Sequence, residues 1–237
     1  DTNKIEQAVN RGKSLRNHVP RKSHDSVGNI SRDPIKLLRE SNKNRVERLI
    51  PLRYGRMLAS PFAFYRGSAC IQAHDLSTTP HSGLLQQICG DAHIMNFGGF
   101  ATPERTLVFD INDFDETHQA PWEWDVKRLA ASIVVAAREL GFKAGATDEM
   151  VFNAVTQYRK CIAKYAEMST LDIWYEKMTF EEMLASSLYE EGRKQIEKLI
   201  KKADQRTHES LLPKMADKID GKWILKDDPP EMFHIQG

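Results

Sequence analysis

Residues 89–100 read CGDAHIMNFGGF, and residues 107–116 read LVFDINDFDE. The first run crowds Asp91, His93 and Asn96 into six residues, and the second sets Asp110, Asp113, Asp115 and Glu116 at the end of an apolar stretch. A turn that only satisfies its own backbone needs one or two short polar side chains. This density points instead to a site that handles a cation or a phosphate. The neighbouring stretches LLQQIC and TLVFDI have the composition of short strands bounded by turn formers, and NFGGFATPER between them reads as a loop entering a hairpin. Antiparallel pairing of those two strands would set the 91–96 loop beside the acidic strand end.

Beyond this region the apolar pattern takes a helical period. WDVKRLAASIVVAARELG is a predicted helix stopped by Gly141. ATDEMVFNAVTQYRKCIAKYAEM is a second, with Thr147 as its cap and Met150, Val151, Ala154, Val155, Tyr158, Cys161 and Ile162 on its buried side. Upstream, Asp33 and Pro34 suit the cap and first position of a helix that runs to about Ile50, where Pro51 breaks or kinks it. Two short helical segments follow around Ser60 and Pro61. Residues 178–206 read as one or two charged helices, and KWIL as a short strand before a Pro-rich loop. The predicted class is α+β with helix dominant. Residues 1–33, polar and rich in turn formers, read as a basic extended arm.

Composition narrows the function classes. With 41% hydrophobic residues in 237, the chain can build a sizeable core. Its three cysteines, Cys70, Cys89 and Cys161, are widely spaced and form no C-x-x-C, so neither a disulfide framework nor a zinc finger is indicated. No stretch approaches the roughly eighteen apolar residues of a membrane span, and the polar start is unlike a signal peptide; a cytoplasmic protein without a membrane partner is expected. The net charge of +1 conceals an uneven distribution. Residues 1–56 carry 14 Lys and Arg against 6 Asp and Glu, whereas residues 57–125 carry 2 against 9. An acidic segment of that kind calls for a cation or a basic neighbour, and the arm is the obvious one. A nucleic-acid role for the arm is the weaker alternative.

Oxygen ligands of the kind supplied by Asn96 and the strand-end carboxylates suit Mg²⁺, which takes few protein ligands plus phosphate oxygens and water. A carboxylate left free of metal could orient an attacking hydroxyl. The spacing of Asp91 and Asn96, five residues apart, resembles the catalytic loop of kinase-like phosphotransferases. The small-molecule branch of that superfamily, which includes aminoglycoside and choline phosphotransferases, typically reads His-Gly-Asp-x-His-x-x-Asn. CGDAHIMN matches it at Gly90, Asp91, His93 and Asn96, with Cys89 in place of the first histidine. NDFDE resembles the metal-binding Asp-Phe element, with Asp113 in the metal position, and in PWEWDVKRLA the helix-opening aspartate is Asp125.

The resemblance implies a kinase-like catalytic lobe over residues 34–237, using ATP and Mg²⁺ on a small-molecule substrate. Asp91 and His93 would be catalytic, Asn96, Asp113 and Asp115 would serve the metal, and Asp110 and Asp125 would give structural support. Asp110 rivals Asp113 for the metal, because alternation along a strand puts them on opposite faces. Asp125 is expected to cap its own helix. Arg66, one of only two basic residues between 57 and 125, is either a solvated side chain or a bidentate phosphate or substrate contact. VPRKSH, RLIPLRYGRMLASPFAFYRGSA and the motifs above together resemble the bacterial family catalogued as domain of unknown function 2252. That resemblance implies a Gly-rich segment and a Lys strand lying after this region, in a permuted order. No G-x-G-x-x-G occurs among the 13 glycines. A kinase-like binder without turnover is therefore the alternative reading. A metal-dependent phosphoesterase, suggested by GDAH alone, is a poorer one, since its further His motifs are missing.

Overall fold

The computed structural model describes residues 2–187, 189–205, 208–229 and 233–234. Eleven helices are described, α1 (Thr2–His18), α2 (Pro34–Glu40), α3 (Ile50–Met57), α4 (Pro61–Arg66), α5 (Ala69–Leu76), α6 (Glu123–Glu139), α7 (Ala144–Tyr165), α8 (Thr170–Tyr175), α9 (Phe180–Ser186), α10 (Glu190–Asp204) and α11 (His208–Met215). Six strands accompany them, β1 (Leu85–Ile88), β2 (Phe97–Ala101), β3 (Leu107–Ile111), β4 (His118–Pro121), β5 (Ala216–Ile219) and β6 (Lys222–Leu225). The class is α+β, helix-rich. The chain forms two compact units. One holds Asp1–Gly98 and Ile111–Glu176, the other Gly99–Asp110 and Lys177–Gly237.

Strand pairing departs from the expected hairpin. β1 does not pair with β3; it pairs antiparallel with β4, from Leu85 opposite Pro121 to Ile88 opposite His118. β2, a strand where a loop was expected, pairs with β3. Gly98 and Gly99 lower strand propensity, which hid β2 from the sequence. A turn at Thr102, whose backbone donates to Thr106, closes the pair, with Arg105 at φ 64°.

The first unit contains the site. Asp33 caps α2 through Ile35 N–H and Lys36 N–H, as the sequence predicts. The helix nevertheless ends at Glu40, and Pro51 opens α3 instead of breaking a long helix, because proline suits a first turn. Ser60 caps α4 through Ala63 N–H. Leu38, Met57 and Ile71 form a buried cluster shared by α2, α3 and α5. The arm is not extended over its first half. α1 occupies Thr2–His18, since no proline interrupts it before Pro20. Its second half docks on α5, where Arg32 Nε and Nη2 each lie 2.7 Å from the Asp75 carboxylate.

α6 packs on α7, with the rings of Trp122 and Tyr158 stacked 5.9 Å apart. Two expectations about α7 need correction. The helix starts three residues before Thr147, whose buried hydroxyl bonds back to Lys143 C=O and so cannot cap. Its apolar stripe is only partly covered, with Met150, Val155 and Ile162 exposed. Among the described residues no helix is long and apolar enough to cross a membrane.

In the second unit, Phe109 N–H donates to Met178 C=O and the Phe109 ring meets Phe180 edge-on at 6.4 Å. Thr179 and Glu182 form a capping box on α9. α9 and α10 fulfil the expected charged helices. KWIL is β6, and it is answered by β5 across Asp220-Gly221, both at positive φ, the turn chemistry of a tight hairpin. The Pro-rich tail lies in part outside the described residues.

Candidate active site

The β1–β4 ladder sets the frame. Cys89 leaves β1 just as Thr117 enters β4, and Thr117 Oγ1 donates to Ile88 C=O at 2.6 Å. Gly90 turns with φ 82° and approaches Glu116 so closely that a Cβ there would lie 2.1 Å from Glu116 C=O. Only glycine tolerates both conditions.

The loop backbone is then taken up almost completely by α6 and Asn96. The Asp125 carboxylate accepts from Cys89 N–H at 2.7 Å and Gly90 N–H at 3.1 Å. Asp125 thus supports the 89–96 loop and does not cap its own helix, correcting the expectation. α6 begins without a side-chain cap. Burial pushes the Asp125 carboxyl above its ordinary value, opposed by those two N–H groups. Ser132, fully buried, accepts from Ile94 N–H at 2.9 Å.

Between these two lies Arg128, 3% exposed, which sequence reasoning missed. Its Nε donates to Asp91 Oδ1 at 2.6 Å, Nη1 to Gln72 Oε1 at 2.7 Å and Nη2 to Tyr65 C=O at 2.8 Å. Its guanidinium lies 4.3 Å from the Tyr65 ring centroid. The phenol in turn donates to Gln72 and to Arg128 C=O. Asp125, Arg128 and Ser132 fall at positions i, i+3 and i+7 of α6, one helical stripe. A polar stripe at that period within an apolar helix is the signal in the sequence that points to Arg128 and Ser132 beside Asp125.

Asn96 joins the loop to the acidic segment. Buried to 5% exposure, it donates from Nδ2 to Asp91 C=O at 3.0 Å and Asp113 C=O at 3.1 Å, and its Oδ1 accepts from Asp113 N–H at 3.0 Å. Asn112 N–H adds a bond to Asn96 C=O. Cys89, its thiol pushed up by burial, packs beneath, with Sγ 3.6 Å from Asp113 C=O. The juxtaposition of Asp91 with Asp113 was thus expected correctly, but the cause is Asn96 and the outer β1–β4 ladder.

Asp113 is exposed, with Oδ1 accepting from Asp115 N–H and Oδ2 without a hydrogen bond among the described residues. Asp115 is exposed beside it. Glu116, not singled out from the sequence, has its carboxyl pushed up, first by lost hydration and then by the charges of Asp91, Asp113 and Asp115, with Arg45 opposing. Glu116 thus sits within reach of the charges of the other three carboxylates. Asp110 lies in β3, in the other compact unit, with an exposed side chain.

His93 is buried, with Nε2 3.6 Å from Asp91 Oδ2 and the Phe62 ring edge-on at 6.4 Å. Burial pushes its imidazole below the ordinary value; Asp91 opposes this, and the charges of Arg128 and Arg66 reinforce it. A neutral ring packed against the loop follows. Arg66 is exposed at the end of α4.

Among the described residues, no three His, Cys, Asp or Glu side chains gather as a metal-holding group. The oxygen-only donors fit Mg²⁺ in its usual manner, with one or two carboxylates and the remaining positions left to phosphate and water.

The raised Glu116 carboxyl has a direct thermal consequence. A carboxyl whose folded pKa is raised contributes stability fully below its unfolded value and loses it as pH rises through the folded value. Glu116 therefore opposes folding at neutral pH, and Glu116→Gln should raise the melting temperature at pH 7 and leave it unchanged near pH 4. A wild-type melting temperature equal to that of the variant at pH 7 would show that the carboxylates do not repel.

A family model described as an uncharacterized protein conserved in bacteria, DUF2252, matches residues 45–237. No curated protein and no solved structure matches the chain.

Proposed function

This chain belongs to the DUF2252 family, and we propose that it carries the acceptor- and metal-binding half of an ATP- and Mg²⁺-dependent phosphotransferase acting on a small hydroxyl- or amine-bearing molecule. The observation that supports this reading is the position of Asn96, bonded at once to the backbone of Asp91 and of Asp113. It holds a carboxylate suited to an acceptor beside a carboxylate suited to a metal. The match of Gly90, Asp91, His93 and Asn96 to the aminoglycoside and choline phosphotransferase pattern points the same way.

In this reading Arg128 fixes Oδ1 of Asp91, and Oδ2 is left to accept the acceptor hydroxyl. The guanidinium orients the carboxylate, so the contribution of Asp91 is chiefly positioning, with proton acceptance as the bond forms. The acceptor oxygen bonds to the terminal phosphorus, the bond to the departing diphosphate oxygen breaks, and the acceptor proton leaves through Asp91. Asp113 would hold Mg²⁺, with Asn96 Oδ1 and Asp115 as the neighbouring oxygen donors. Bound there, the ion neutralises charge on the phosphate oxygens. His93, neutral and buried, braces the loop.

The sequence holds no Gly-rich phosphate loop, which favours a second reading, a kinase-like binder without turnover. Two variants separate the readings in the intact, folded protein. Asp113→Ala should abolish Mg²⁺-dependent ATP binding measured by calorimetry. Asp91→Asn should keep that binding and lower phosphate transfer about a hundredfold. Absence of Mg²⁺-dependent nucleotide binding sinks the phosphotransferase reading, and binding without any turnover selects the second.

A further inference from the structure

α1 is a helix without a buried face. From Asn3 to His18 every residue except Leu15 is exposed. Packing of an apolar stripe holds most helices, and one of this length is marginal by itself. Its asparagines and Gly12 lower the propensity further. Two rows of side chains nevertheless run its full length. Asn3, Gln7, Asn10, Ser14 and Asn17 follow one another at alternating spacings of four and three, which puts them on one stripe. The first two are already tied, Gln7 Nε2 donating to Asn3 Oδ1 at 3.1 Å. Lys4, Arg11 and His18 recur every seven residues along one flank of that stripe. Lys13 stands on the other flank with Glu6, the one acidic residue of the helix.

The charge of the segment calls for a polyanion. Residues 2–22 carry 6 Lys and Arg against one Glu. Arg11, Lys13, Arg16, Arg21 and Lys22 form no ion pair among the described residues, and all five are exposed. Residue type separates the kinds of polyanion. An anionic membrane surface takes a helix with a strong apolar face, and a protein groove takes aromatic or large apolar anchors. α1 has no aromatic residue, and its large apolar side chains are Ile5, Val9 and Leu15 alone. Amides flanked on both sides by cations match a nucleic-acid groove instead. Asn and Gln offer a donor and an acceptor side by side to a base edge, and Lys and Arg meet the bordering phosphates. The major groove of duplex DNA admits an α-helix, whereas that of duplex RNA is too narrow and deep.

We propose that α1 binds duplex DNA, lying in the major groove with the row from Asn3 to Asn17 toward the base edges and Lys4, Arg11 and Lys13 on the flanking phosphates. Arg21 and Lys22, just beyond the helix, extend the phosphate contacts. The groove supplies the packing that the helix lacks within its own chain. This role uses none of the residues around Asp91 and stands or falls independently of the phosphotransferase reading.

The test follows the fluorescence anisotropy of a labelled DNA duplex of about twenty base pairs, longer than the roughly 25 Å that α1 can cover. The full chain is titrated into it between about 50 and 200 mM salt. The logarithm of the binding constant should fall against that of salt with a slope of roughly −3 to −4, three or four phosphates at about 0.9 each. Arg11→Gln with Lys13→Gln alters exposed side chains and should leave the melting temperature unchanged. That pair should weaken binding about tenfold or more at low salt and bring the slope about two units nearer zero. Gln7→Ala with Asn10→Ala should weaken binding and keep the slope, since neither amide meets a phosphate. No DNA binding by the wild type at low salt, or a slope that the Arg11 and Lys13 substitutions do not move, overturns the proposal. A slope that moves as far in the amide pair overturns it too. Equal or tighter binding to duplex RNA, to poly-glutamate or to phosphatidylserine vesicles also overturns it, and assigns α1 to that partner instead.

Discussion

Replacing Arg128 with Met should destabilise the protein by about 3–5 kcal/mol, the cost of leaving one partner of a buried ion pair alone. For a chain of this size that lowers the melting temperature by roughly 6–20 °C. The side chain is 3% exposed and its partner's 13%, so water cannot replace what is lost. Three acceptors lose the donor they share, namely Asp91 Oδ1, Gln72 Oε1 and Tyr65 C=O, and the cation contact with the Tyr65 ring goes with them. Removing the opposing charge as well, in Arg128→Met with Asp91→Asn, should recover part of the stability, because the unpaired carboxylate is then gone. Thermal unfolding of the two single variants and the double one checks this. A melting temperature for Arg128→Met within about 2 °C of the wild type, well short of the expected shift, would falsify the assignment of Arg128 as the anchor of the loop.

Gly90→Ala should be nearly as damaging, for a different reason. A residue with a side chain at φ 82° carries strain of about 1–3 kcal/mol. The added Cβ would also sit 2.1 Å from Glu116 C=O. Neither segment can withdraw easily, since Asp125 holds Gly90 N–H and Thr117 holds the strand before it. Gly141 is the control. Its φ is 78°, but nothing lies within 4 Å of a Cβ added there, so Gly141→Ala isolates the backbone term. Gly90→Ala should melt well below Gly141→Ala. Displacement of Glu116 should also weaken any Mg²⁺ response at Asp113, readable as a smaller rise in melting temperature on adding the ion.

Much of this was legible in the sequence because it is local. The cap at Asp33, the start of α4 at Ser60, the course of α6 and its stop at Gly141 depend on residues within one or two turns of each other. The Asp91, His93 and Asn96 cluster stood out for the same reason, as did the acidic segment after β3. The turn formers that predict an extended arm all act after His18, so they leave Thr2–His18 free to form α1. β2 was missed because its glycines weaken an intrinsic strand signal that pairing with β3 supplies from outside.

The sequence by itself determined which residues could do chemistry, since residue type and short spacing are properties of the chain. Only the tertiary structure decided what each does. That Asp125 holds Cys89 and Gly90 and does not cap α6, that Arg128 fixes Asp91, and that Asn96 reaches Asp113 are contacts across 17 to 37 positions. Contacts at such separations leave no periodic trace. They arise because β1 pairs with β4, which brings the loop against α6, where burial favours a partner for each polar group that can reach one.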